Sequence, residues 1–202
     1  MPQAKTRERK RRIGILGGTF NPIHLGHLLI AQDALEQAGL ECVIFIPSAT
    51  PPHKPLAHEV SGAHRLRMVK LAIAGDARLA VDDLEIRRGG KSFSVETVAA
   101  LRARQPDVDW HFIIGGDSLA ELHLWREADR LVKLCRFVVL ARPGVVAKPA
   151  RRLAGLRYRL FASHSCAIAS RDVRTRIAGV QSIRYLVPEP VRRYIERHRL
   201  YL

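Results

Sequence analysis

Acidic residues, cysteines and long apolar runs are all scarce in this chain. Only 19 Asp and Glu stand against 34 Lys and Arg in 202 residues, a net charge of +15. Such an excess draws polyanions, whether small nucleotides or nucleic acid. The 3 cysteines, Cys42, Cys135 and Cys166, are odd in number and far apart. They argue against a disulfide or zinc framework and read as buried thiols in a reducing cytoplasm. No apolar run approaches the roughly 20 residues of a membrane span, and no apolar segment follows the basic residues at the start. Neither a membrane partner nor a secretory leader is expected, which makes the setting cytoplasmic. Aromatics reach only 6%. They are not interleaved regularly with the basic residues, and no RNA-recognition signature is present, so nucleic acid is the less favoured partner.

The charge is unevenly placed. Lys5, Arg7, Arg9, Lys10, Arg11 and Arg12 face Glu8 alone, so residues 1–12 read as a basic, disordered tail with no partner of its own. Residues 13–202 make a single domain, long enough to bury a core without staples.

That domain alternates strand and helix. Ile13–Leu16, Cys42–Ile46, Leu79–Val81, His111–Ile114 and Phe137–Leu140 are short, continuous apolar runs, as strands buried on both faces are. Helical patterns lie between them, at Gly62–Ala74, Val95–Arg104 and Glu127–Leu134. The alternation predicts an α/β fold, a Rossmann-like parallel sheet with helices on both faces. Ligands bind such sheets outside the carboxyl ends of the strands, so the informative residues are those just after each run.

After the first strand comes Gly17-Gly18-Thr19-Phe20-Asn21-Pro22-Ile23-His24-Leu25-Gly26-His27-Leu28. Leu25, Leu28, Leu29, Gln32 and Leu35 fall near helical spacing, which predicts strand, tight turn, then helix. Gly17 and Gly18 can take positive φ and let backbone N–H groups approach an anion. The helix beginning near His24 adds its unpaired N–H groups and dipole. His24 and His27, three apart, share one helix face. Two imidazoles there can donate hydrogen bonds to a phosphoryl group as charge builds on it, without covalent chemistry. Neither GxGxxG nor GxxxxGK[ST] occurs here, so the usual dinucleotide and P-loop fingerprints are absent.

Four further stretches follow strands or open helices. Pro47–Pro55 carries four prolines in nine residues and is a stiffened loop, with His53 and Lys54 over the same sheet edge. A metal site from His24, His27, His53 and His58 is less favoured, since no carboxylate or cysteine lies near them in sequence. The pair Asp82-Asp83 reads as solvated or locally paired, ahead of a hairpin-like loop ending at Ser94, a plausible N-cap. Gly115-Gly116-Asp117 is a second strand-to-glycine-turn junction, where Asp117 caps a helix, holds two ribose hydroxyls, or both. Trp125 is either core or a stacking surface for an aromatic ring. Finally, Ser170 can cap a helix running to Ala178, with Arg174 one turn in and able to reach a phosphate. In the helix from Gly62, the sequence reads as Leu66, Val69, Ala72 and Ile73 inward and Arg65, Arg67 and Lys70 outward.

These stretches, in this order, resemble the bacterial nicotinate-mononucleotide adenylyltransferases of the HxGH nucleotidyltransferase superfamily. His24-Leu25-Gly26-His27 resembles the HxGH signature, PPHK (52–54 and the proline before them) sits where the family has it, and KSFSVETVAAL, Gly115 to Asp117 and HLWREA match further segments. Ile168 to Arg174 is similar to an ISSTxxR motif with departures: Ala169 replaces a Ser and Arg171 stands where Thr is usual. The resemblance implies transfer of the adenylyl group of ATP to nicotinate mononucleotide, giving deamido-NAD and pyrophosphate by in-line attack. It implies His24, His27 and Arg174 as catalytic residues. ATP falls to Gly17, Gly18, Thr19, Phe20, Gly26, Gly115, Asp117, Ile168 and Ser170, and the pyridine nucleotide to Asn21, Lys54, Thr97 and Trp125. Mg2+ is expected on the ATP phosphates, with few protein ligands. Two alternatives stay open: a related enzyme acting on nicotinamide mononucleotide or another phosphate acceptor, and, more distantly, a non-enzymatic nucleic-acid-binding protein.

Overall fold

The computed structural model describes residues 10–51, 60–141, 147–164 and 167–202. Six parallel strands form one sheet: β1 (Arg12–Gly18), β2 (Cys42–Pro47), β3 (Leu79–Val81), β4 (Asp109–Gly115), β5 (Arg136–Ala141) and β6 (Tyr158–Ala162), in the order β3-β2-β1-β4-β5-β6. The order reverses between β1 and β4, whose register pairs Ile13 with Trp110 and Ile15 with Phe112. Their carboxyl ends, Gly17-Gly18 and Gly115, therefore flank the crevice where such sheets bind ligands.

The helices are α1 (Leu25–Ala38), α2 (Gly62–Ala72), α3 (Leu84–Arg88), α4 (Ser94–Arg104), α5 (Gly116–Glu121), α6 (Ala128–Leu134), α7 (Ser170–Ala178) and α8 (Glu189–Arg197). Two cores sandwich the sheet. Side chains alternate across a strand, so Ile13 and Ile15 of β1 pack with Val98, Leu101, Trp110 and Leu131, while Leu16 joins Ala34, Leu35, Met68, Val173 and Val191 on the other face. Gly14 lets the layers close, since a Cβ there would lie 2.8 Å from Leu40 Cδ1 and 2.9 Å from Ile113 Cδ1.

The structure corrects several expectations. β6, which is not among the five strands read from the sequence, is an exposed edge strand bonded to β5 alone. The hairpin-like loop expected from Arg87 to Ser94 is shortened at its start, where Arg87 and Arg88 end the short helix α3. Between α7 and α8 the chain forms one isolated bridge, Arg184 to Val187. In α1 the buried face is Ala31, Ala34, Leu35 and Ala38, small residues that bring the helix close to the sheet, while Leu25, Leu28 and Leu29 stay half-exposed. Cys135 is buried but Cys42 is only half-buried, and Cys166 lies outside the described residues. Arg65, read as outward, is 1% exposed. Its guanidinium donates to three carbonyls: Thr19 O at 2.8 Å, Ala49 O at 3.0 Å and Val60 O at 3.3 Å.

Candidate active site

The turn between β1 and α1 is held by four hydrogen bonds, from α2, from α7 and from the end of the chain. Arg65 of α2 binds Thr19 O. Arg174 of α7 donates from Nη1 to Asn21 O at 2.7 Å, Ser170 donates its hydroxyl to Pro22 O at 2.9 Å, and Tyr201, near the end of the chain, donates to Asn21 Oδ1 at 2.8 Å. The Asn21–Pro22 bond is cis. Gly17 and Gly18 finish β1 without positive φ; the left-handed residue is Phe20, at φ 49°. Gly18 serves close approach instead, because a Cβ there would meet the Phe20 ring at 2.9 Å. Phe20 is buried and sets its ring edge-on to His27 at 5.0 Å.

His24 is the N-cap residue of α1, and its ring stacks on His27 with centroids 3.7 Å apart. The His24 backbone N–H donates to His27 Nδ1 at 3.2 Å. In neutral His27 the proton therefore sits on Nε2, leaving that nitrogen as a donor. Burial pushes His27 well below its ordinary 6.5, and the neighbouring His24 pushes it the same way. Burial also lowers His24, to about 4, against an opposing pull from Asp172. Both shifts favour neutral rings at pH 7. His24 Nδ1 is buried with no hydrogen-bond partner among the described residues. Gly26 is the reason the ring fits: a Cβ there would lie 3.1 Å from His24 Nδ1 and 3.6 Å from Ile168 O.

Arg174 is half-buried, and among the described residues only its Nη1 makes a hydrogen bond. Ser170 is the first residue of α7, after an Ala169 N-cap, so it does not cap the helix; its proton goes to Pro22 O. Ser94 likewise is the first residue of α4, after Phe93. Asp117 is exposed at the second position of α5, whose N-cap is Gly115.

A cavity of about 170 Å³ opens between the ends of β1 and β2 and the start of α4, lined among others by Thr19, Ser48, Glu85, Ser94, Thr97 and Trp125. Trp125 is half-buried and meets Phe112 edge-on at 6.0 Å; the other tryptophan, Trp110, is core. Thr97 is 1% exposed and gives its hydroxyl proton to Glu85 Oε1 at 2.5 Å. Burial raises the Glu85 carboxyl, against hydrogen bonds from Thr97 and Ser92 and the charge of Arg88. Ser48 Oγ, on the same cavity, is buried without a partner among the described residues. The sequence reading did not single out Glu85, Ser48 or Arg65. Only Arg65 left a signal, since it stands at helical spacing from Met68, Val69 and Ala72.

The acids Asp82 and Asp83 are locally paired, Asp82 with Arg104 at 2.6 Å and Asp83 with Arg87 at 2.6 Å. Among the described residues no group of three or more His, Cys, Asp or Glu gathers as metal ligands. Lys54, with His53 and His58, lies outside the described residues.

The cytidylyltransferase-like family model matches residues 15–176. A protein of Synechococcus sp. (strain JA-3-3Ab), named a probable nicotinate-nucleotide adenylyltransferase, is 48% identical over 96% of both chains. One of the same name from Symbiobacterium thermophilum is 46% identical over 95% of both. Among solved structures, Plasmodium falciparum nicotinic acid mononucleotide adenylyltransferase complexed with NaAD superposes with a TM-score of 0.79, covering 95% of this chain and 97% of that one at 19% identity, a likeness of fold. With the glycine turn, the paired histidines and the α7 arginine at one sheet edge, and near-full-length identity on this scale, the chain belongs to the nicotinate-nucleotide adenylyltransferase family of cytidylyltransferase-like proteins.

Proposed function

We propose that this chain transfers the adenylyl group of ATP to nicotinate mononucleotide, forming deamido-NAD and releasing pyrophosphate. The observation that carries it is the meeting of two unlike subsites where the sheet order reverses. One is a phosphate mouth built from the turn after β1, the stacked His24 and His27, and Arg174. The other is a cavity sized for a single ring, well below the roughly 300 Å³ of drug-sized pockets, with an indole on its wall.

In the reaction, an oxygen of the acceptor's phosphate attacks the α-phosphorus of ATP in line, and the bond from that phosphorus to the bridging oxygen of pyrophosphate breaks. His27 Nε2–H and the unspent nitrogens of Arg174 donate to oxygens on which charge grows, and the N-terminus of α1 adds its dipole. Neutral imidazoles suit this task because they keep the site open to a polyanion across physiological pH without needing protonation. Gly17 to Phe20, Gly26, Gly115, Asp117, Ile168 and Ser170 border the ATP side in this reading. Asn21, Lys54, Thr97 and Trp125 serve the pyridine nucleotide. Magnesium enters as part of the substrate, MgATP, held by the phosphates. Because Thr97 has given its proton to Glu85, the donors offered to a ring carboxylate are Ser48 Oγ and the first N–H groups of α4.

Residues 13–202 act as one catalytic unit, with the basic segment before them outside the chemistry. No described helix is long and apolar enough to cross a membrane, and the free thiols of Cys42 and Cys135 suit a cytoplasmic setting. Incubation of nicotinate mononucleotide with MgATP labelled at the α-phosphate tests the chemistry. Label appearing in a dinucleotide of deamido-NAD mass supports the assignment; label confined to ATP and AMP refutes it.

A further inference from the structure

A guanidinium buried without a carboxylate is costly, and α2 does not need one for packing. Its neighbours Met68 and Val69 fill the core with apolar groups, as a leucine or methionine at position 65 could. Arg65 has no ion pair among the described residues; its partners are three neutral carbonyls from three separate segments. Burial lowers its proton affinity, the mark of a charge placed where solvent cannot help it. What these bonds accomplish is therefore specific to the segments they join.

Two of those segments carry the two subsites. Thr19 belongs to the turn after β1, and Ala49 follows Ser48, whose hydroxyl faces the ring cavity. A trans peptide points its N–H opposite to its C=O. Drawing Thr19 O toward Arg65 turns the Phe20 N–H away from the buried guanidinium, and drawing Ala49 O the same way orients the Thr50 N–H. Ala49 is held on its other side too, by its own N–H to Ser92 Oγ at 3.0 Å, while Thr50 O accepts from Ser92 N at 2.9 Å. One planar fork thus fixes the phosphate turn and the wall of the ring cavity relative to each other. An ammonium could do this only in part, because its donors are not spread in a plane.

We propose that Arg65 is a positioning residue that couples the two subsites: through Thr19 O and Ala49 O it holds the phosphate turn and the Ser48 loop in the single relative placement that brings the two substrates into line. This rests on the adenylyl-transfer reading for its kinetic arm but not for its structural arm.

The test compares wild type with Arg65→Met and Arg65→Lys. Thermal melts first establish folded protein at the assay temperature. Coupling predicts a kcat lower on the order of 100-fold for Arg65→Met, as for other losses of alignment of about an ångström. It also predicts raised KM for both ATP and the pyridine nucleotide, with partial recovery in Arg65→Lys. Amide hydrogen exchange supplies a readout independent of substrate. Faster exchange confined to residues 18–20 and 48–50, with the β4 and β5 amides unchanged, is expected. Wild-type kcat and KM in folded Arg65→Met, or loss of melting temperature with no local change in exchange, overturns the proposal. Should wild type itself show no turnover, the functional reading falls and the exchange experiment alone decides the role of Arg65.

Discussion

Replacing Gly26 by alanine separates fold from chemistry more cleanly than replacing a histidine. Position 26 is the second residue of α1, where alanine is favoured over glycine by at most about 1 kcal/mol. The added Cβ would sit 3.1 Å from His24 Nδ1 and 3.2 Å from its Cε1, tighter than ordinary contact by a few tenths of an ångström. On the other side Ile168 O stands at 3.6 Å, so the helix cannot retreat far, and the ring has to tilt. Tilting breaks the 3.7 Å stack on His27 and shifts both donors. Loss of a whole transition-state donor costs about 10²–10³ in kcat, so a displaced pair should cost roughly 10- to 100-fold. Stability should stay within about 1 kcal/mol of wild type, the helix gain offsetting the crowding. Steady-state pyrophosphate release beside urea unfolding measures both. A variant with kcat within about twofold of wild type would refute the idea that the His24 ring position governs the reaction.

Other perturbations probe separate parts of the structure. His24 titrates near 6.5 when unfolded but at about 4 when folded, so the unfolded chain takes the proton first. Its share of stability is intact above pH 6.5 and is lost as pH falls toward 4, by on the order of 3 kcal/mol. In urea unfolding at pH 7 and pH 4, His24→Asn should lose less than wild type between the two; equal losses would contradict this. Asp33 is 2% exposed and accepts both the backbone N–H of His164, at 2.8 Å, and its imidazole Nδ1. Asp33→Ala removes both bonds, and because His164 is exposed its donors turn to water, so the cost should be about 1 kcal/mol, with a raised KM for ATP because His164 precedes the segment leading to Ser170. An unchanged unfolding midpoint would show that the contact carries no stability. Trp125→Ala should raise KM for the pyridine nucleotide about three- to tenfold, the worth of an aromatic contact, while KM for ATP holds. Equal effects on both substrates would remove the indole from the ring subsite.

The sheet was legible because strands buried on both faces read as unbroken apolar runs: Cys42–Ile46 and Phe137–Leu140 each lie within a residue of β2 and β5. β6 was not: its apolar run, Leu160 to Ala162, is only three residues long and follows Arg157 and Arg159, as in an edge strand open to water. The paired histidines could be placed from a spacing of three alone, and they do stack. The turn before them was right in place and wrong in detail. Glycine was expected to supply the positive φ, whereas Phe20 takes it, held by tertiary bonds from α2, α7 and the end of the chain that no local pattern records. Arg65 was misplaced by chemistry overriding geometry: its spacing pointed inward and its charge suggested water. Hydroxyl roles were the least legible. Ser170 and Thr97 are where the motifs put them, yet their protons are spent on Pro22 O and Glu85, which only coordinates reveal.

The most direct measurement is pyrophosphate release from MgATP by folded enzyme, run in parallel with nicotinate mononucleotide, nicotinamide mononucleotide and no acceptor. Acceptor-dependent release with a large preference for the acid form is the expected result, and it should fall by about 10²–10³ in kcat in His27→Ala. Preference for the amide would keep the chemistry and overturn the substrate. No acceptor-dependent release at all would contradict adenylyl transfer to a pyridine mononucleotide.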